Sequence, residues 1–382
     1  MTPAFIGSSD DDRAEWNAKS IRGELRWWFR AIAGGELLGD AQKVRELERS
    51  VFGGIDAQSR DDSSSALRVL AQVIRLNTGR ETESLPDIRL SEVDLAKDWN
   101  NATPAVEQRL QLHRGKTNPL GSLGYGPIVS NRYHRGRIAE GSDLGLTFQW
   151  NREPSAEAKL VFDRAFWCWI NLGGIGARSR RGYGSLVRLD DSALRDIEEF
   201  KSRALEILSG ARAALPAGRE AEWTHFTSEA HVYRSRNAYK SWSEALRFAG
   251  AWMIAFRRRY GTNSDERTAV RGRDYEWFKH GPPFQVPDRA GFGLPLPFGQ
   301  EAMAGWGVNE GRRASPLLIH ISRFGSSSYQ IILTHIPARL VPLGEKISFK
   351  GTSFAPTPRQ KAIVQTFLDD LKNRGNLIVE VV

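Results

Sequence analysis

Apolar residues recur at helical and strand spacing along most of the chain, and the two periods alternate. A short apolar opening, Ala4-Phe5-Ile6, reads as a first strand. Ile21, Leu25, Trp28 and Ile32 then stand at i, i+4, i+7 and i+11, which predicts a helix from Ser20, taken as its N-cap, to Gly34-Gly35. Val44, Leu47 and Val51 predict a second helix over 40–51. Leu67, Val69, Ala71 and Val73 alternate, as do Leu144, Leu146, Phe148 and Trp150, and both runs read as half-buried strands. Pro154 opens a helix carrying Val161, Ala165, Cys168 and Leu172, which ends at Gly173-Gly174, and a short strand is expected at 184–190.

Residues 191–222 read as a connecting helix followed by a loop, Leu215-Pro216-Ala217-Gly218. The order then repeats. A strand at 229–235 leads into a helix at 240–259 with Trp242, Leu246, Ala249 and Met253 on one stripe. Strands follow at 316–323 and 329–335, then a helix at 358–373 with Ile363, Phe367 and Leu371, and a closing strand at 377–382. The fold class read from this pattern is α+β: two tandem ferredoxin-like (βαββαβ) domains with long insertions, over 1–190 and 223–382, joined by 191–222.

Composition narrows the function. With 382 residues, 40% hydrophobic and 26% charged, the chain is globular rather than disordered. Lys+Arg number 54 against 45 Asp+Glu, a net charge of +9 that points to a polyanionic partner. A lone cysteine, Cys168, excludes an intrachain disulfide framework and a cysteine-based zinc site, and suits a reducing compartment. No apolar run approaches membrane-spanning length, and MTPAFIGSSDDD has neither the basic nor the apolar region of a signal peptide, so a cytoplasmic protein is expected.

Three constellations could bind a polyanion. Arg22, Arg26 and Arg30 are four apart, so on the first helix they line an arc of about 80°, away from the apolar stripe, with Lys19 just ahead. Only Glu24 offers an acidic residue inside that helix, so these arginines are expected to lack partners. The alternative is an ordinary solvated basic face. The run from Gly173 to Gly184 holds five glycines and Arg178, Arg180 and Arg181. Gly174 and Gly176 would let the backbone N–H groups approach a phosphate, and Tyr183 would offer a face to a base. A valine at Gly176 is therefore expected to harm RNA binding more than folding; a bland helix-terminating loop is the competing reading. Third, Arg109 to Arg137 contains Arg114, Lys116, Arg132, Arg135 and Arg137 with no Asp or Glu, interleaved with His113, Tyr125, Tyr133 and His134. That is the composition of a loop following single-stranded RNA, or of a disordered basic insertion.

Catalytic and metal signals are poor. The histidines form no H-x-x-x-H pair, no G-x-S-x-G occurs, and the glycine run is no dinucleotide fingerprint because Ser179 replaces its last glycine. Gly115-Lys116-Thr117 lacks the first glycine of a phosphate-binding P-loop. Asp10-Asp11-Asp12 reads as a solvated acidic loop rather than a metal site, and Arg257-Arg258-Arg259 as helix-terminal charge. No catalytic residue, metal or cofactor is assigned. His134 amid arginines could serve as a general base on a ribose 2′-OH.

The chain resembles the RAMP superfamily of CRISPR proteins, and within it the first subunits of the type III-B Cmr effector complex. The matching blocks are Thr2 to Gly7, Ser20-Ile21-Arg22-Gly23-Glu24-Leu25-Arg26-Trp27-Trp28-Phe29-Arg30 and Val51-Phe52-Gly53. With them go the glycine-rich run from Gly173 to Ser185, Gly293-Leu294-Pro295 and Arg312-Arg313-Ala314-Ser315-Pro316. The resemblance implies two ferredoxin-like domains, other RAMP subunits as neighbours, and a non-catalytic subunit holding guide RNA near its 3′ end together with target RNA. Similar chains carry a longer first strand before the Thr-Pro element, so either the start is truncated or the first domain has a weak edge strand. The rival expectation is a metal-independent guide-RNA-processing endoribonuclease of the same superfamily, using His134. A free-standing RNA-binding protein is disfavoured by the tandem motif blocks.

Overall fold

The structure, a computed structural model, describes residues 2–7, 13–55, 62–79, 85, 118–216, 219–259, 288–294, 313–325, 327–349, 352–374 and 376–382. It is an α+β fold. In the first half the elements are α1 (Ala18–Glu36), α2 (Ala41–Phe52), β1 (Gly54–Ile55), β2 (Asp62–Ser63), β3 (Leu67–Arg75), β4 (Thr78–Gly79), α3 (Pro119–Leu123), β5 (Ile128–Val129), β6 (Arg132–Tyr133), β7 (Arg137–Ile138), β8 (Asp143–Trp150) and α4 (Ala156–Leu172). After α5 (Ile197–Ser209) come β9 (His231–Ser235), α6 (Trp242–Arg259), β10 (Leu317–Phe324), β11 (Ser328–His335), β12 (Ile347–Phe349), β13 (Thr352–Phe354), α7 (Pro358–Asp369) and β14 (Ile378–Glu380).

The helical stripes lie where the period puts them. Ile21, Leu25, Trp28 and Ile32 of α1 are buried, as are Val161, Ala165, Cys168 and Leu172 of α4, and the two helices pack on each other. Helix α1 starts earlier than its sequence suggests: Asn17, not Ser20, is the cap, its side chain accepting from the Ser20 N–H at 2.8 Å. β3 and β8 pair antiparallel from Leu67↔Trp150 to Val73↔Leu144, with a register irregularity before Arg75↔Asp143. β4 pairs with β7.

The opening segment is not an edge. Ala4 exchanges both backbone hydrogen bonds with Ile138, each 2.9 Å, while on its other side Phe5 accepts from Ala177 and Pro3 from Gly184, each at 2.8 Å. The strand expected at 184–190 does not form. Residues 178–184 turn tightly instead, with Gly182 at φ +84° and Gly184 at φ +68°, and the carbonyl of Gly184 accepts from Ile175.

In the second half β10, β11, β9 and β14 form one antiparallel sheet in that order, with α6 following β9 and α7 following β11. Numbered along the chain among the four strands of this sheet, the order is second, third, first, fourth. One face of the sheet (Ile319, Ile321, Ile331, Leu333) packs under α6 and α7. The other face (Val232, Leu318, Phe324, Ile332) joins the apolar sides of α1 and α4 in a single core. Phe200, Ala204 and Leu208 of α5 are buried in that same core, so the connecting helix is packed rather than detached. Among the described residues no helix is long and apolar enough to cross a membrane.

Candidate nucleic-acid interface

The arginine face of α1 is partnered, contrary to the expectation from the helix alone. Glu48, buried on α2, accepts from Arg26 Nε at 2.6 Å and lies 3.8 Å from Arg30. Arg22 donates to the backbone carbonyls of Phe52 and Leu67, and burial followed by the charge of Arg26 lowers its pKa. Tertiary neighbours supplied the acceptors that the i, i+4 positions lack. Arg30 keeps about half its side chain in solvent and shares one carboxylate with Arg26, so this face retains net positive charge. Lys19 is exposed.

The glycine run is mostly committed to the fold. The N–H groups of Ile175, Ala177, Ser179, Arg181 and Gly184 all donate to backbone carbonyls, and that of Ser185 donates to Thr2 Oγ1. These donors are therefore not free to cradle a phosphate. Gly176 sits at φ +84°, and a Cβ there would lie 2.5 Å from the Phe5 carbonyl oxygen, so the glycine is required for packing. Gly174 is buried, and its carbonyl accepts from Trp169 Nε1 at 3.0 Å. Tyr183 offers no face to a base: it is fully buried against Phe5 and donates its hydroxyl to the Leu120 carbonyl at 2.9 Å. Burial holds that phenol well above its ordinary pKa.

The same run ties the two halves together. The Ile319 N–H on β10, the outer strand of its sheet, donates to the Arg180 carbonyl at 3.1 Å, and the Ile321 N–H donates to Ser185 Oγ at 3.1 Å. An otherwise open sheet edge is covered in this way. Arg181 donates to the Phe292 carbonyl at 3.2 Å and Arg180 to the Ser315 carbonyl at 2.8 Å. His320 Nδ1 lies 2.6 Å from the Gly173 carbonyl, and burial lowers its pKa to about 4.

From the third constellation, Arg132 and Arg135 are exposed on and just after the β5–β6 hairpin, as is His134. Arg137 is buried with its guanidinium 3.6 Å from the centre of the Tyr133 ring, and Tyr133 is buried too, so neither is available to RNA. Tyr125 is exposed. Arg178 is exposed, and its guanidinium approaches Gly126, linking the glycine run to this hairpin. Arg109, His113, Arg114 and Lys116 lie outside the described residues, as does the Asp10–Asp12 loop.

What the structure assembles is a cleft of about 400 Å³ between one face of α1 and the glycine run. Ser20, Gly23, Glu24, Trp27 and Arg30 form one wall, Gly174, Gly176, Ser179 and Arg180 the other. The guanidinium of Arg180 stacks 4.3 Å from the centre of the Trp27 ring. Burial lowers the pKa of Arg180 to about 10, with Arg313 adding to the effect and Glu24 opposing it, so it stays charged at neutral pH. Burial raises Glu24 to about 7, against the pull of Arg180. Sequence reasoning missed Glu24 and Trp27 as site residues. The available signal was their shared helical face with Ser20, Gly23 and Arg30, and a tryptophan lying off the apolar stripe. A larger cleft of about 670 Å³, walled by Leu146, Phe148, Phe166, Trp169 and Trp242, is mainly apolar and unsuited to a polyanion. Among the described residues no cluster of three or more His, Cys, Asp or Glu is placed to hold a metal ion.

Comparison with known proteins agrees with the sequence motifs. Residues 1–187 match the RAMP superfamily. The CRISPR system Cmr subunit Cmr1-1 of Pyrococcus furiosus is 28% identical over 206 residues, 51% of this chain and 50% of that protein. The alignment thus spans about half the length of that relative. Cmr1-2 of the same organism is 28% identical over 190 residues, 49% of this chain and 89% of that protein. Among solved structures, the crystal structure of apo Cmr1 from Pyrococcus furiosus aligns with a TM-score of 0.47 at 20% identity, covering 95% of this chain and 90% of that one. A cryo-EM structure of the type III-B Cmr-beta complex bound to cognate target RNA contains a chain that aligns with a TM-score of 0.46 at 12% identity, covering 98% of each.

Proposed function

We propose, from the match of residues 1–187 to the RAMP superfamily, that the chain is a non-catalytic, RNA-binding subunit of a type III-B CRISPR (Cmr) effector ribonucleoprotein. In this reading it holds guide RNA near its 3′ end together with target RNA, and its neighbours are other RAMP subunits in the cytoplasm. Similarity to two curated Cmr1 subunits supports the assignment to that complex. Both halves are read as ferredoxin-like units. In favour is the second-third-first-fourth strand order of the C-terminal sheet. The first half has a parallel sequence of neighbours: β3 beside β8, β4 beside β7, Ile138 beside Ala4, and Phe5 beside Ala177.

The observation that carries the RNA-binding reading is the cleft, where Arg30 from α1 and Arg180 from the glycine run converge beside Trp27. Arg178, adjacent in sequence to Ser179 of the cleft wall, and Arg132 and Arg135 are further exposed arginines. Guanidinium groups beside an aromatic ring suit a single strand, whose phosphates need cations and whose unstacked bases need planar faces. The test is RNA affinity against salt for the purified chain and for the Arg30→Ala/Arg132→Ala/Arg135→Ala variant. Each arginine–phosphate pairing that the substitutions remove should lower the slope of log K against log salt by about 0.7, with little dependence on sequence. The RNA should be recovered intact in the presence of EDTA. A folded triple variant with unchanged slope, or discrete RNA fragments, would contradict the reading.

A further inference from the structure

The cleft contains one group that phosphate binding does not explain. Glu24 lines the wall between Gly23 and Trp27, partly buried, facing the glycine run. Among the described residues its carboxyl makes no hydrogen bond and no ion pair. The nearby Arg180 is turned instead to the Ser315 carbonyl and the Trp27 ring. Burial raises its pKa to about 7, and the charge of Arg180 offsets only part of that effect. Once ionised, Glu24 repels a phosphate and can only accept hydrogen bonds, so the ligand group it suits is a donor.

RNA carries two kinds of donor: base N–H groups and ribose 2′-hydroxyls. Ionised Glu24 presents two acceptor oxygens side by side. Only guanine answers with two adjacent donors, N1–H and N2–H, on its Watson–Crick edge. Adenine, cytosine and uracil each place a donor next to an acceptor, which a carboxylate repels. The stacked Trp27–Arg180 pair supplies a planar platform of the kind on which unstacked RNA bases lie. A cleft of about 400 Å³ is within the range of sites for small organic ligands.

We propose that this cleft takes one unstacked guanine of the bound RNA, its N1 and N2 donors on the Glu24 carboxylate and its ring against the Trp27–Arg180 pair. A subunit that otherwise grips phosphates thereby reads one base. The inference rests on the RNA-binding function proposed above.

The test uses the full chain and fluorescently labelled oligouridines carrying one central guanine, adenine, cytosine or inosine. It is run by anisotropy at fixed salt and pH 8, where Glu24 is ionised. The guanine oligomer should bind about tenfold tighter than the adenine or cytosine one, as expected for a bidentate pair, with inosine in between because it lacks the N2 amino group. Glu24→Gln and Glu24→Ala should each shrink that preference to within about twofold. A 2′-deoxyguanosine at the central position should keep the preference. Equal affinity for all bases, a preference that survives in both variants, or one abolished by the deoxy sugar would overturn the inference. Base-indifferent binding contradicts this inference alone, whereas failure of every oligomer to bind contradicts the RNA-binding function as well.

Discussion

Gly176 shows how one residue can be legible for the wrong reason. Its sequence context suggests a glycine cleared for a ligand, but its φ of +84° and the Phe5 carbonyl 2.5 Å from a would-be Cβ make it a requirement of the chain's own packing. Gly176→Val should therefore cost at least about 2 kcal/mol of stability, the sum of a left-handed backbone penalty and a clash. Gly23 is the control: nothing lies within 4 Å of its would-be Cβ, and it sits inside α1. Gly23→Ala should stabilise the protein by about 0.5–1 kcal/mol through helix propensity. Denaturant midpoints of the two variants check both signs; a Gly176→Val protein as stable as wild type would refute the packing role. The arginines of α1 were readable as a basic face, but their partner was not. Glu48 lies on another helix, and spacing within one helix says nothing about a carboxylate brought in by tertiary packing.

At the scale of elements, the apolar stripes of α1 and α4 and the alternation in β3 and β8 hold in the structure, because each side chain's direction follows from a repeating backbone geometry. The glycine run after α4 has no such period. Its shape is set by turns and by hydrogen bonds to Pro3, Phe5 and Ile319, all distant in sequence. The joint between this run and β10 is also a source of pH dependence. Burial holds His320 neutral, with a pKa of about 4 against an ordinary 6.5, and His335 likewise, the latter assisted by the charges of His231 and Lys361 and opposed by its hydrogen bond to Gln365. Depressed histidine pKa values give stability that is complete above pH 6.5 and declines as pH falls toward 4. Between pH 7.5 and 5 the loss should be about 2 kcal/mol per histidine. His320→Gln should therefore show a shallower decline over that interval than wild type in urea titrations at the two pH values. A slope identical to wild type would remove His320 from the account.

Across the whole molecule, the two halves that the sequence divides share a core: the C-terminal sheet buries one face against α1 and α4 of the first half. That junction fixes the cleft, because one wall belongs to α1 while the other, the glycine run, is itself pinned to β10. The surplus of basic residues was legible as a need for a polyanion, and its location was not, since Arg22, Arg137 and Arg181 spend their guanidinium groups on carbonyls or rings within the protein. The central claim is that RNA passes through the cleft between α1 and the glycine run and leaves over the β5–β6 hairpin. Photocrosslinking of the purified chain to 4-thiouridine-substituted single-stranded RNA, followed by mass spectrometry of the adducts, tests it most directly. The account predicts adducts on peptides bearing Trp27 and Tyr125, both suppressed by Arg30→Ala. Adducts confined to the apolar cleft around Phe148 and Trp242, or to the outer faces of α5 and α7, would contradict it.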